Sequence, residues 1–556
     1  MLIKFIVLIA LLLCPLQLSA QRSVTVRVNA NAAQGTFKPS WAYFGHDEPN
    51  FIYMKFGRQL LSELSTMTPE AVHDRTHNLL TTGDGTPALK WGSTNAYTED
   101  ASGHAVYNWT ILDKIFDEYH AAGITPFVEI GFMPKALSIH PDPYQHEFPN
   151  GSIFTGWAYP PKDYGKWAEL VRQWVLHCVE RYGSKDVEHW DWEVWNEPDI
   201  GYWQGTPEQY YQLYDYAVNA VKGALPGARV GGPGTTGPGN PKAAGYLKNF
   251  LTHCMTGKNY ATGKTGSPLD FISFHAKGRV RVADGHAQMG IRNHLESIAK
   301  GFEIVASFPE LRQLPIVLSE SDPEGCAACS VEAHPEDAYR NTSQYASYNA
   351  AVLHDALELA RRYDVNLQGI LTWAFEFEDQ PYFIGLRAVS TRGIDLPVLN
   401  VFRMLGLMGG KRIQAESSGA LSIDTMLGTG AESAPDINVL ATRGDRQVTA
   451  LVWNYQDEDV PTPPAIIDLI VEGIHNSTHE ILLEHYRIDQ STSNAYPLWK
   501  EMGSPPELSP EQLVRLKAAG QLQLADSPQW LKAAAGDLHV KFELPSQSVS
   551  LLKLSW

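Results

Sequence analysis

Two glutamates stand at the ends of two apolar runs, and they carry the strongest chemical signal in the chain. The first lies in Trp190-Asp-Trp-Glu-Val-Trp-Asn-Glu-Pro-Asp199. Pro198 has no amide donor and stops a strand ladder, so Glu197 is expected at the C-terminal end of a strand. Trp192 and Trp195 predict an apolar setting for it, which suits a carboxyl that must give up a proton. Glu193 shares its parity but lies a full pleat deeper. The second is Glu320, which closes Leu314-Pro-Ile-Val-Leu-Ser-Glu320, with Asp322 and Glu324 falling in the turn after it. A single Glu at a strand end is as easily a helix cap or a surface charge. Two of them, on separate strands, have the makings of the carboxyl pair that hydrolyses glycosidic bonds. His46, His77 and His275 also fall at expected strand ends, which sets them apart from the remaining histidines.

These residues need elements to bring them together. Strand-like runs occur at 40–44, 77–81, 126–130, 190–195, 228–231, 271–275, 316–319 and 370–375, and helix-period runs at 109–122, 164–182, 207–223, 289–307 and 338–363. Eight alternating units predict an α/β fold, a (β/α)8 TIM barrel over 30–410, whose chemistry gathers at the C-terminal ends of its strands. A doubly wound sheet is the competitor, but no Gly-rich phosphate loop follows the first strand. Two connections are long. The segment 133–162 carries Tyr144, Phe148, Trp157 and Tyr159 and is expected to form a pocket wall; 231–241 is almost all Gly, Pro and Thr. Beyond 410 the pattern turns to alternation, which predicts a β-sandwich domain over 411–556, joined by a strand at 23–28.

Composition narrows the partners. A net charge of −18 makes nucleic acid and anionic membranes poor ones. Aromatic residues at 11% exceed what a core needs and suit stacking on sugars. Residues 1–20, with Lys4, an apolar run and Leu18-Ser19-Ala20, form a secretory signal, which predicts an exported protein, periplasmic or extracellular. Cys326 and Cys329 predict a local disulfide or two buried thiols, because a structural zinc lacks its other ligands nearby. Neither a metal nor a cofactor is expected.

With these motifs in view, the sequence resembles the glycoside hydrolases of clan A and, within them, family 39, the family of β-xylosidases and α-L-iduronidases. Asn196-Glu197-Pro198 and Glu320 carry the clan-level likeness. Glu320-Ser-Asp-Pro-Glu-Gly-Cys-Ala-Ala-Cys329, Glu484-His-Tyr-Arg-Ile-Asp-Gln and Ser493-Asn-Ala-Tyr496 carry the family's. The resemblance implies Glu197 as acid/base and Glu320 as nucleophile of a retaining mechanism. It also implies sugar-binding roles for His46, His77, Asn196, His275, Lys277, Trp373 and Asp379, with Arg387 a further candidate. The expectation is therefore a secreted exo-glycosidase acting on oligosaccharides, a β-D-xylosidase before other specificities. A uronidase or an arabinose-directed enzyme is the first alternative, and a non-catalytic carbohydrate-binding protein the second. Lys277 separates the first two, since it either pairs with a protein acid or reads a uronate carboxylate. A xylosidase is expected to close over C5 with Trp373 or Phe375.

Overall fold

The computed structural model describes residues 22–556 apart from 47, 89–90, 149–150, 155, 284, 327, 375, 475–479 and 535. The leader at 1–20 and Phe375 lie outside the described residues. Eight parallel strands close into a barrel in chain order: Tyr43–His46, His73–Thr76, Thr125–Ile130, Asp191–Val194, Arg229–Thr235, Phe271–Lys277, Pro315–Asp322 and Asn366–Trp373. They are called the first to eighth strands below. Seven overlap the runs expected from the sequence. The second does not: it was expected at 77–81 but occupies His73–Thr76. The apolar Leu79 and Leu80 are buried in the loop beyond it, whereas the strand itself is polar and wholly buried.

Strand parity explains which residues face the interior. Tyr43 and His73 stack inside, 4.4 Å between ring centroids, and Arg75, Glu129 and Glu193 follow one pleat higher, linked by ion pairs. The alternate residues pack outward on helices, Phe44 against Phe402, Trp192 against Trp174 and Phe274 against Phe302. The helix Tyr164–Tyr182 shows why these segments are helical. The Asp163 carboxylate accepts the Gly165 and Lys166 amides at 2.7 and 3.1 Å, satisfying two of the orphan donors of the first turn. Trp167, Leu170, Val171, Trp174, Val175 and Cys178 then recur at helical spacing as its buried face.

The C-terminal strands form one sheet of ten, in the order Gln523–Leu524, Ile481–Ile488, Ser548–Ser555, Gln447–Tyr455, Asp436–Gly444, Lys411–Ser417, Ser23–Thr36, Ala465–Glu472 and Leu538–Leu544, with Gln529–Leu531 also pairing on Ile481–Ile488. Two layers arise because this continuous sheet doubles over. Arg487 near one end donates to the Glu543 carbonyl at the other (2.8 Å), and the His485 and Phe542 rings meet at 4.9 Å. Alternation along Gln447–Tyr455 divides its side chains between two cores. Leu451, Trp453 and Tyr455 join the barrel's core, and Val448, Ala450 and Val452 fill the sheet's own.

Candidate active site

The fourth strand ends at Val194, and the chain then makes an unusual turn. Trp195 and Glu197 both adopt left-handed backbone, at φ 72° and 46°. Each such residue costs of order 1–3 kcal/mol and persists only where its surroundings over-determine it. Here they do. The Trp195 amide donates to the Ile130 carbonyl (3.2 Å), its indole to the Tyr202 carbonyl (2.9 Å), and the Glu197 amide to the Gly234 carbonyl (2.9 Å). The turn presents Glu197 at the barrel mouth. Trp192 does not supply its apolar setting, since its parity sends the ring outward against Trp174. Trp195 packs on Phe132 and Trp203 instead.

Glu320 lies near the end of the seventh strand, which runs on through Asp322 rather than turning before it, and stands directly opposite His275 in the register with the sixth. His275 Nδ1 lies 2.9 Å from Glu197 Oε1 and 3.5 Å from Glu320 Oε2, so one imidazole bridges both carboxyl groups. Lys277 Nζ pairs with the same Glu320 oxygen. On its other side Glu320 Oε1 is 3.3 Å from the Arg75 guanidinium and 3.5 Å from His77 Nε2. Burial alone would raise the Glu320 carboxyl, but the charges of His275, Lys277, His77 and Arg75 outweigh it and hold the group well below the ordinary carboxylate range. One oxygen of Glu197 lies within 4.8 Å of one oxygen of Glu320. Glu197, His275 and Glu320 could offer a metal three ligand atoms at this spacing. Two fixed cations, Lys277 and Arg75, already stand against Glu320 and oppose a third.

These charges give a first expected result. Lys277→Met removes one of the cations that keep Glu320 ionised, so the acid limb of kcat/KM should move to higher pH. The sign follows from the depressed folded value. The stabilisation from these pairs is present above the unfolded Glu value of about 4.3 and is lost as pH falls through the folded one. An unchanged acid limb in the variant would show that Lys277 does not tune Glu320.

A cavity of about 670 Å³ opens over this cluster. His77, Asn196, Glu197, Lys277, Glu320, Trp373 and Arg387 all line it, and His275 lies buried between the two carboxyl groups. Asn196 accepts from Arg75 through Oδ1 (3.1 Å), while Trp373 meets the His77 ring edge-on at 5.0 Å. Arg387 pairs with Asp322 at 3.0 Å. The structure does not bring His46 or Asp379 to the cavity. His46 shares the outward parity of Phe44, and its Nδ1 lies 2.9 Å from Asp74 behind the strand. Asp379 is exposed, with the neighbouring Gln380 amide 3.2 Å away. Among the described residues, none of the segment 133–162 lines the cavity as the expected wall, and the Phe148 side chain lies outside the described residues. The segment's His140 and Tyr159 stack on each other at 4.5 Å, Trp157 bonds the Pro141 carbonyl, and Tyr144 packs behind Tyr202. Trp91, Phe132 and Tyr202 supply the aromatic lining instead.

Sequence reasoning also passed over the support beneath the site. Arg75 lies ahead of the run expected as the second strand and Glu129 is a single charge inside an apolar one, so neither stands out by its periodicity. The loop after Glu320 is braced in the same way. Cys326 and Cys329 are disulfide-bonded, and the buried Arg340 donates to the Cys326, Cys329 and Gly385 carbonyls at 2.7 to 2.9 Å. Arg387 donates to the Glu324 and Gly325 carbonyls, which fixes Gly325 on the cavity wall.

A closed parallel barrel with two carboxyl groups converging at its C-terminal mouth is the arrangement of the barrel glycoside hydrolases. The chain belongs to glycosyl hydrolases family 39, whose model matches residues 24–533. A β-xylosidase of Caldicellulosiruptor saccharolyticus is 28% identical over 428 residues, covering 74% of this chain and 76% of the relative. An α-L-iduronidase of Mus musculus is 25% identical over 472 residues, covering 79% and 67%. Among solved structures, a family 39 enzyme of Xanthomonas axonopodis pv. citri superposes with a TM-score of 0.74 at 20% identity, covering 97% of this chain and 99% of its own. That likeness speaks to the fold.

Proposed function

We propose that the protein is a retaining exo-glycosidase, a β-D-xylosidase acting on xylose-containing oligosaccharides. The observation that supports the mechanism is that one oxygen of Glu197 lies within 4.8 Å of one oxygen of Glu320, with a single imidazole against both, which fits the shorter of two known spacings. Retaining enzymes hold their carboxyl groups about 5–5.5 Å apart, whereas inverting ones need roughly 6.5–9.5 Å to admit a water. Glu320, kept ionised by its cations, attacks the anomeric carbon and forms a glycosyl ester. Glu197 gives a proton to the departing oxygen, then takes one from the water that cleaves the ester. Asn196, with Oδ1 turned to Arg75, has its amide nitrogen left for a sugar hydroxyl, and Trp373 forms the floor under the ring.

The choice of a pentose rests on charge. Lys277 is matched by Glu320 and Arg387 by Asp322, so both cations are balanced before substrate arrives. A sugar lacking a carboxylate at C5 leaves that balance intact, and the similarity to β-xylosidases agrees with it. Assay on a panel of aryl xyloside, iduronide, glucuronide and arabinoside tests the reading. The xyloside should have the highest kcat/KM. A uronide cleaved faster, with that activity lost selectively in Lys277→Met, overturns it. Export to the periplasm or medium is part of the proposal, supported by the Cys326–Cys329 disulfide, which persists in oxidising compartments.

A further inference from the structure

We propose that one side of the cavity is a subsite for the departing sugar unit, and that Arg279 within it selects a leaving group bearing an anionic substituent. This rests on Glu197 being the acid that protonates the departing oxygen. Around the barrel, Glu197 follows the fourth strand and Glu320 lies near the end of the seventh, so the line between them divides the mouth into two arcs. The longer arc holds Trp373, His77, Trp91 and Phe132, an aromatic surface on which the cleaved sugar can stack. The shorter arc, formed by the loops after the fifth and sixth strands and by the helix Ile291–Ala306, is polar. Its lining includes Gly237, Gly239, Arg279, Asn293, Glu296 and Ser297.

Three groups in this arc have no protein partner among the described residues: the Asn293 side-chain amide, the Ser297 hydroxyl and the Arg279 guanidinium. Ser297 is only 7% exposed; its hydroxyl opens onto the cavity and has no side-chain or backbone partner among the described residues. A Cβ on Gly237 or Gly239 would stand 2.8 Å from its Oγ, so the glycines let the fifth-strand loop close down on the helix at this point. Asn293 and Arg279 are exposed and Ser297 is buried at the cavity edge, so the three present open hydrogen-bonding groups to one concavity, which suits a hydroxylated ligand. The charges single out Arg279. Lys277 and Arg387 are matched by Glu320 and Asp322, and Glu296 is matched by Arg292 at 2.9 Å. Among the described residues Arg279 has no counter-charge, in a chain with a net charge of −18. Its planar fork fits a carboxylate or a sulfate ester.

The segment that carries it is also anchored. The Met289 amide donates to the Asp457 carbonyl (3.0 Å), the Ile291 amide to the Asp457 carboxylate (3.2 Å), and the Gln288 amide to Glu458 (2.6 Å). A loop of the C-terminal sheet thus holds the rim on which Arg279 is presented.

The test uses aryl glycosides of whichever sugar the enzyme cleaves fastest, with a para carboxylate, sulfonate or neutral carboxamide on the ring. At low salt the better of the two anions should exceed the carboxamide in kcat/KM by about threefold to tenfold, the range for a partly exposed charged contact. Which anion wins separates an acidic from a sulfated leaving sugar. Because the contact is exposed, about 0.5 M NaCl should bring the ratio close to one. Arg279→Lys should keep part of the preference, Arg279→Met should abolish it, and Arg279→Glu should turn it below one. The ratio compares two substrates on one protein, so a general loss of activity does not mimic it. A ratio near one in the parent, or a preference that survives Arg279→Met, overturns the proposal. Cleavage of another sugar in place of xylosides would overturn the sugar assignment alone and leave this ratio measurable.

Discussion

Glu320→Gln is expected to end turnover of every glycoside, lowering kcat by about 10⁴-fold or more, because no glycosyl ester can form without the carboxylate. Glu197→Gln should behave differently. With poor leaving groups the loss should be about 10²- to 10⁴-fold, the usual worth of general acid catalysis. With a dinitrophenyl glycoside the first step needs no proton, so the ester should form quickly and accumulate. Azide then separates the two roles. It should restore the Glu197 variant and give a glycosyl azide of retained configuration, since it attacks an ester already formed on Glu320. In the Glu320 variant it should enter where the carboxylate stood and give the inverted product. Removing Glu320 also strips Lys277 and Arg75 of a counter-charge, so thermal unfolding of each variant belongs beside the kinetics. Equal loss in both variants on every leaving group, with no azide product from either correctly folded protein, would overturn the pairing.

The parts of this site that were legible in the sequence are those that depend on strand ends. Pro198 and the apolar run before Glu320 marked two of them, and the paired carboxyl groups followed. Parity was the missing step for His46. Its strand was correctly expected to start the barrel, but alternation from Tyr43 puts Gly45 inside and His46 outside. The second strand shows a different failure. His73-Asp-Arg-Thr76 contains nothing apolar, and a hydrophobic pattern slides the strand forward onto Leu79 and Leu80. What makes those four residues a strand is pairing that only the closed barrel supplies: Asp74 with His46, and Arg75 with Glu193, Glu129 and Glu320. The aromatic loop at 133–162 misled for a related reason. Composition alone does not distinguish rings that face a cavity from rings that pack on one another.

Arg75 is accordingly the residue whose replacement should cost the fold most. It is fully buried, donates to Glu193 through Nε at 2.6 Å, and stands 3.2 Å from Glu129 and 3.3 Å from Glu320. Burial opposes its charge, but Glu193, Glu129 and Glu320 together raise its affinity for the proton above that of a free guanidinium. Arg75→Met keeps much of the volume and removes the charge, leaving Glu193 inside the barrel without its cation and Glu129 with only the His77 imidazole at 3.0 Å. Breaking a buried pair in this way costs about 3–5 kcal/mol. The deficit should depend on pH with a definite sign. Buried carboxylates that lose their cation take up protons in the folded state more readily than in the unfolded one, so the variant's stability falls as pH rises. Its deficit against the parent should therefore be larger at about pH 7 than at about pH 5, which thermal or urea unfolding at the two values measures. Arg75→Lys tests whether charge alone suffices. A lysine can neutralise one carboxylate but lacks the planar fork that reaches Glu193, Asn196 and Glu320 together, so it should recover part of the stability and less of the activity. If Arg75→Met instead unfolds like the parent at both pH values, the charge layer beneath the site does not stabilise the barrel. Asn196 and Glu320 must then be held by their strands alone.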